Sequence, residues 1–179
     1  MIGFSNVLAI GLLYEGAILL WAIGSDGVTL PPFLRIPEDQ YYFYELIFLI
    51  PMFLVTWLLA SALGYVLSRV MNGRGSFDAI LGGFGVSMAV SFYFSLIPDY
   101  VQGILWTTGL VSFHEYLEIT GGGVPLFIVW AYLLAWFLAH LVFYSITVYH
   151  TQGLGKLQSA GVAAVAFFGS FAVWITIVR

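Results

Sequence analysis

The chain has no cysteine and very few charged residues. Of its 179 residues, 8% are charged and 61% are hydrophobic, whereas soluble domains have about 25% charged and about 45–50% apolar residues. The lack of cysteine excludes disulfides, thiol nucleophiles, iron–sulfur clusters and thiolate zinc sites. So few charges cannot cover a water-facing surface. The composition therefore predicts an integral membrane protein and excludes a disordered chain or a coiled coil.

Basic residues are fewer than acidic ones. Five Lys and Arg stand against nine Asp and Glu, too few to neutralise a phosphate backbone, so nucleic acid is not an expected partner. The expected partners are the lipid bilayer and either other membrane-protein subunits or further copies of this chain.

Long apolar runs fill most of the chain. A helix needs about 20 apolar residues to cross the hydrocarbon core. Five runs qualify, at Phe4–Gly24, Leu46–Leu67, Ala79–Ile97, Val124–Tyr149 and Ser159–Val178. A sixth run, Val101–Phe113, is too short to cross upright and predicts an interfacial or re-entrant helix between spans three and four. The predicted fold is an all-α integral membrane protein, a single domain of five transmembrane helices in which Pro98 ends span three.

Basic and acidic residues alternate between the loops. Arg69 and Arg74 follow span two and Lys156 follows span four, whereas the loop after span three has acidic residues and no Lys or Arg. The first loop has only Arg35 against Asp26, Glu38, Asp39 and Glu45. Because cytoplasmic loops are enriched in Lys and Arg, the N-terminus is predicted in the cytoplasm and the C-terminus outside; Arg179 alone opposes this.

Small polar residues recur along span three. Ser87, Ser91 and Ser95 are each four residues apart and therefore share one helix face. Small residues allow transmembrane helices to approach closely, so packing is the first interpretation of this row. The alternative is that the serines line a polar path.

Two ionisable residues lie inside predicted spans, Glu15 in the first and His140 in the fourth. A carboxylate at the centre of a span costs about 2.5–3.5 kcal/mol on insertion scales, so Glu15 must be paired, hydrated or protonated. Either residue could serve an ion or proton path, or could be held by structural hydrogen bonds. One hypothesis is that Glu15 and His140 bond to each other across the bundle.

The sequence has no recognisable catalytic or metal-binding motif. A Gly-x-Ser-x-Gly elbow and paired carboxylates within a span are both missing. His114 and His150 are expected on opposite sides of the membrane, too far from His140 to share a metal. No enzyme activity, metal or cofactor is predicted.

The loop between spans two and three has the most distinctive local pattern, Asn72-Gly73-Arg74-Gly75-Ser76-Phe77-Asp78. The Asn-Gly pair indicates a turn, and Ser76 is placed to cap the third span, with Asp78 in its first turn. A further hypothesis is that Arg69, Arg74 and Lys156 form a cytoplasmic surface that contacts anionic lipid headgroups or an acidic partner.

From about Leu46 onward the chain resembles the Ypt-interacting-protein (YIP) family. The residues that carry the resemblance are Asn72, Gly73, Gly75 and Ser76, the run Leu81–Ser87, then Pro98 and Asp99, and the run His150–Lys156. The resemblance implies five spans with a cytoplasmic N-terminus. In eukaryotic members it implies Rab-type GTPase binding and vesicle traffic. This chain lacks their long N-terminal segment and looks like the short prokaryotic members.

The leading functional hypothesis is a non-enzymatic, YIP-like scaffold or accessory subunit in membrane organisation or a membrane complex. The alternative is a small channel or transporter component that uses Glu15, His140 and the row Ser87, Ser91 and Ser95. A membrane enzyme acting on lipid is a third hypothesis.

Overall fold

A computed structural model describes residues 1–25, 27–28 and 36–178. Within them the chain is almost entirely helical, with no strand. The helices are α1 (Ile2–Gly24), α2 (Tyr41–Val70), α3 (Phe77–Thr107), α4 (Phe113–Thr120), α5 (Gly123–Gln152) and α6 (Lys156–Val178), and a short 3₁₀ turn at Glu38–Gln40 precedes α2. Asp26, Arg35 and Arg179, on which part of the orientation argument rests, lie outside the described residues.

Five helices are long and apolar enough to cross a membrane: α1, α2, α3, α5 and α6. They contain the five runs found in the sequence, so the predicted all-α bundle of five spans is confirmed. Most of the helices are longer than predicted, because the less apolar residues that flank each run are also helical. The additional turn Tyr41–Glu45 at the start of α2 is one example.

The prediction for residues 101–113 was wrong. Helix α3 continues through Pro98 to Thr107 and is 31 residues long. A proline inside a helix removes one backbone hydrogen bond, which for Pro98 leaves the Phe94 carbonyl, four residues earlier, without its usual donor. The indole Nε1 of Trp21 on α1 donates to the carbonyl of Asp99, the residue after Pro98, at 2.9 Å, and ties α1 to α3 at this point. The short helix between spans three and four is instead α4, at Phe113–Thr120.

Helix α4 begins with a capping box. The Ser112 hydroxyl accepts from the Glu115 backbone N–H at 3.2 Å, and the Glu115 carboxylate accepts from the Ser112 backbone N–H at 2.8 Å. Ser112 and Glu115 therefore satisfy two amide groups that the first turn of a helix leaves unpaired.

We expect the cap of α4 to weaken in acid. Hydrogen bonds from the Ser112 backbone and hydroxyl lower the pKa of Glu115 below its ordinary value of 4.5. A lowered carboxyl pKa means that the cap contributes fully above the ordinary value and is lost as the pH falls through the lowered one. A carboxyl NMR titration checks this: Ser112→Ala raises the pKa of Glu115 towards 4.5, and an unchanged pKa in that variant would contradict the assignment.

The five long helices form a closed ring in the order α1, α3, α5, α6, α2, and α2 also touches α3 across it. Helices α1 and α5 are therefore not neighbours in the ring. The contact between α2 and α3 divides the bundle, with α1 on one side and the pair α5 and α6 on the other. This division decides which of the buried polar residues can meet.

Candidate functional site

The serine row of α3 is occupied by packing contacts. The Ser87 hydroxyl bonds to the Thr147 hydroxyl of α5 at 2.8 Å, and the Ser91 hydroxyl donates to the Ser87 carbonyl at 2.8 Å. The Ser95 hydroxyl bonds to the Tyr14 hydroxyl of α1. These bonds join α3 to both of its neighbours in the ring, so the geometry favours packing over a continuous polar path.

Glu15 lies on α1 and is half-buried. Within the described part of the chain its carboxylate makes no hydrogen bond and no ion pair. The Tyr100 hydroxyl does not bond to Glu15, because it donates to the Leu13 carbonyl at 2.7 Å. Glu15 is therefore a carboxylate without a partner among the described residues, on a helix long and apolar enough to cross a membrane.

His140 lies on the other side of the α2–α3 contact, buried between α3, α5 and α6. Its Nδ1 lies 3.1 Å from the Trp136 carbonyl, one turn earlier in its own helix. The hypothesis of a direct bond between Glu15 and His140 was wrong: the described residues show no such bond, because α1 and α5 are not adjacent.

Aromatic rings surround His140. Phe92 of α3 meets the imidazole edge to face at a centroid distance of 5.1 Å, and Trp136 lies at 4.7 Å. Phe167 of α6 lies at 5.2 Å and Tyr144 at 5.8 Å. Four rings from three helices thus hold the imidazole in one orientation.

A cavity of about 20 Å³ opens beside His140. Its lining comes from α2, α3, α5 and α6 and consists of Thr56, Met88, Phe92, Trp136, His140, Tyr144, Phe167, Ser170, Phe171 and Trp174. At about 1.5 Å per residue, His140 is about 18 Å along α5 from its C-terminal end. The cavity therefore lies about midway along the length of α5. Glu15 does not line it.

The loop between α2 and α3 is bonded to the end of α5. The Arg74 backbone N–H donates to the Gln152 carbonyl at 3.0 Å, and the Gln152 side-chain amide donates to the Ser76 carbonyl at 3.3 Å. A Cβ on Gly75 would collide with the Thr151 carbonyl. Gly75 is therefore needed where the loop passes over α5.

The turn within this loop has the predicted geometry. Asn72 has φ +66°, a conformation that asparagine tolerates better than most residues, and the Ser76 hydroxyl accepts from the Ala79 backbone N–H at 3.2 Å, as predicted for the cap of α3. Pro98 and Asp99 lie far from this loop, inside the second half of α3.

The side chains of Arg69, Arg74 and Lys156 are exposed near this end of the bundle. The Arg69 guanidinium donates to the Gly73 carbonyl at 2.9 Å, so it also supports the turn.

Among the described residues, no three His, Asp or Glu side chains are grouped as metal ligands would be.

Sequence reasoning missed the role of Gln152 and of Phe92 and Phe167. Gln152 is buried at the last position of α5, just before Gly153, whose φ of +67° ends the helix. The sequence around Gln152 does not indicate that this side chain is buried and bonded, because its bonding partners lie in the loop between α2 and α3.

The chain was compared with protein-family models, with curated proteins and with solved structures, and nothing matches it in any of the three.

Proposed function

We propose that this chain is a non-enzymatic, YIP-like membrane scaffold or accessory subunit, and that the first half of α5 is where it meets another membrane protein. The observation that carries the proposal is the exposure of that half-helix. In the most apolar stretch of α5 only 11% of the residues are buried inside the chain, against 33–50% in the other four spans.

The exposure extends over most of the helix surface. From Val124 to Leu134 all side chains are exposed except those of Pro125 and Val129, which are half-buried. These two residues are four apart and share one helix face, so only that face of the segment is partly covered by the rest of the described chain. The second half of α5, from Ala139 onward, packs normally against α3 and α6.

The exposed side chains have the chemistry of a protein interface. Phe127 and Trp130 are 72% and 63% exposed, and Ala131, the residue after Trp130, is also exposed. Aromatic residues supply interface anchors, and small residues let a second helix approach closely. The segment Gly123–Ala139 has no charged residue, so the occupant we propose is an apolar transmembrane helix of another subunit.

Purification from the native membrane in a mild detergent, followed by mass spectrometry of what co-migrates, tests the proposal. We expect a stoichiometric membrane-protein partner whose cross-links to this chain map to residues 124–134. A monomer without partners in several mild detergents and in native nanodiscs would overturn it. A partner cross-linked only to other helices would overturn the assignment of the surface.

A small channel or transporter component is the second candidate, and the half-buried carboxylate of Glu15 is the observation that favours it. A substitution of Glu15 distinguishes the two proposed functions. If the chain is a scaffold, we expect Glu15→Gln to leave ion flux in reconstituted liposomes unchanged. A loss of flux in Glu15→Gln, with normal flux in the control Glu118→Gln on the exposed helix α4, would favour transport instead.

A further inference from the structure

We propose that the cavity beside His140 binds one small hydrogen-bond donor with a single heavy atom, which is either water or ammonia. The inference does not depend on the docking of α5, because the cavity lies in the packed half of the bundle. Its three supporting observations are the volume of the cavity, the hydrogen bond of His140 and the Tyr144 hydroxyl, which has no partner among the described residues.

The volume of the cavity sets the size of the ligand. A cavity needs about 10–15 Å³ of this kind of volume to hold one water molecule. The cavity beside His140 has about 20 Å³, enough for one such molecule.

The hydrogen bond of His140 determines what the ligand must offer. A backbone carbonyl can only accept, so the bond to the Trp136 carbonyl requires that Nδ1 carries the proton. In the neutral imidazole Nε2 then has a free lone pair. Nε2 is separated from Nδ1 by Cε1, and its lone pair points away from the carbonyl that Nδ1 contacts. A ligand that satisfies Nε2 must donate a hydrogen bond.

One donor completes the site. The Tyr144 hydroxyl has no hydrogen-bond partner in the described residues, although Tyr144 is only 2% exposed. The indole Nε1 of Trp136 also lacks a partner, but it is fully buried and does not face the cavity. Buried polar groups are normally hydrogen-bonded, and a buried water usually has two to four polar partners. His140 and Tyr144 supply one acceptor and one donor.

The other residues that line the cavity provide no charged group to balance an ion. Thr56 and Ser170 turn their hydroxyls to carbonyls of their own helices. The remaining lining is aromatic rings and Met88, with no acidic side chain. An ion without a counter-charge is costly in such a site, so the ligand binds as a neutral molecule. Ring faces attract its N–H or O–H groups weakly.

Histidine NMR tests the proposal directly, since the chain has three histidines and His114 and His150 are exposed. The protein is labelled with ¹⁵N-histidine and placed in lipid nanodiscs. We expect the buried histidine to carry its proton on Nδ1. If the ligand is water, its ring protons show cross-relaxation with a long-lived water. If the ligand is ammonia, ammonium chloride shifts the Nε2 resonance and an equal concentration of sodium chloride does not.

Tyr144→Phe removes the hydroxyl and keeps the ring stacked on Phe84, whose centroid is 4.0 Å away. We expect this variant to lose the ligand signal at His140, whereas Tyr149→Phe on the exposed side of α5 keeps it. A histidine protonated on Nε2, or neither water nor ammonium signals in the wild-type protein, would overturn the proposal. So would a ligand signal that Tyr144→Phe leaves unchanged.

Discussion

Gly85→Ala destabilises the bundle, whereas Gly82→Ala, three residues earlier in the same helix, is neutral or stabilising. A Cβ on Gly85 would lie 2.5 Å from the Gly3 carbonyl oxygen and 2.6 Å from its Cα. Both atoms belong to the backbone of α1, so no side chain can rotate away, and α1 and α3 must separate. Overpacking of this kind costs about 1–3 kcal/mol, partly offset by about 1 kcal/mol from the better helix propensity of alanine.

Gly82 is a closely matched control for this prediction. A Cβ built there has no atom within 4 Å, so Gly82→Ala receives the gain in helix propensity without a clash. Equilibrium unfolding in mixed micelles, followed by circular dichroism, gives the free energy of unfolding of both variants. Equal stabilities would show that α1 and α3 do not cross at Gly85 as the structure describes.

The opposite expectations at Gly82 and Gly85 could not be obtained from the sequence. Both glycines lie in the same apolar run, and only the position of α1 distinguishes them. The five spans were predictable because each is a long run with at most one charged side chain, a pattern that the bilayer thickness determines almost alone. Contacts between spans depend on side-chain shapes that such runs do not reveal.

The end of α3 and the position of α4 show how local signals compete. A proline usually indicates the end of a helix, but α3 continues through Pro98 to Thr107. Ser112 and Glu115 form a capping-box pattern three residues apart, which the sequence does contain. Reading that pattern would have placed the short helix at Phe113 rather than at Val101.

The site around His140 was only partly predictable. His140 was identified as an unusual polar residue in a span, and Trp136 and Tyr144 share its helix face through their spacing of four residues. The rings contributed by Phe92 and Phe167 are two of 16 phenylalanines in the chain, and nothing in their local sequence distinguishes them. Glu15 was identified for the same reason as His140, but the α2–α3 contact separates the two residues.

Replacing both aromatic anchors on the free half of α5, Phe127→Ala with Trp130→Ala, weakens association with the proposed partner while the fold is retained. Neither side chain is buried in the chain, so their removal creates no cavity in the bundle. Interface aromatic residues each contribute about 1–2 kcal/mol or more. A combined loss of about 2 kcal/mol corresponds to a Kd about 30-fold weaker.

The matched control is Phe94→Ala with Phe168→Ala, on α3 and α6. These rings are 42% and 51% exposed, so the control also removes two exposed aromatic rings, from helices whose other faces are packed. Co-purification with the partner, together with thermal unfolding of each variant alone, separates binding from stability. A selective loss in the α5 variant supports an interface on the free half-helix. Equal losses in both variants would mean that association follows total aromatic surface, and retention in both would place the partner elsewhere.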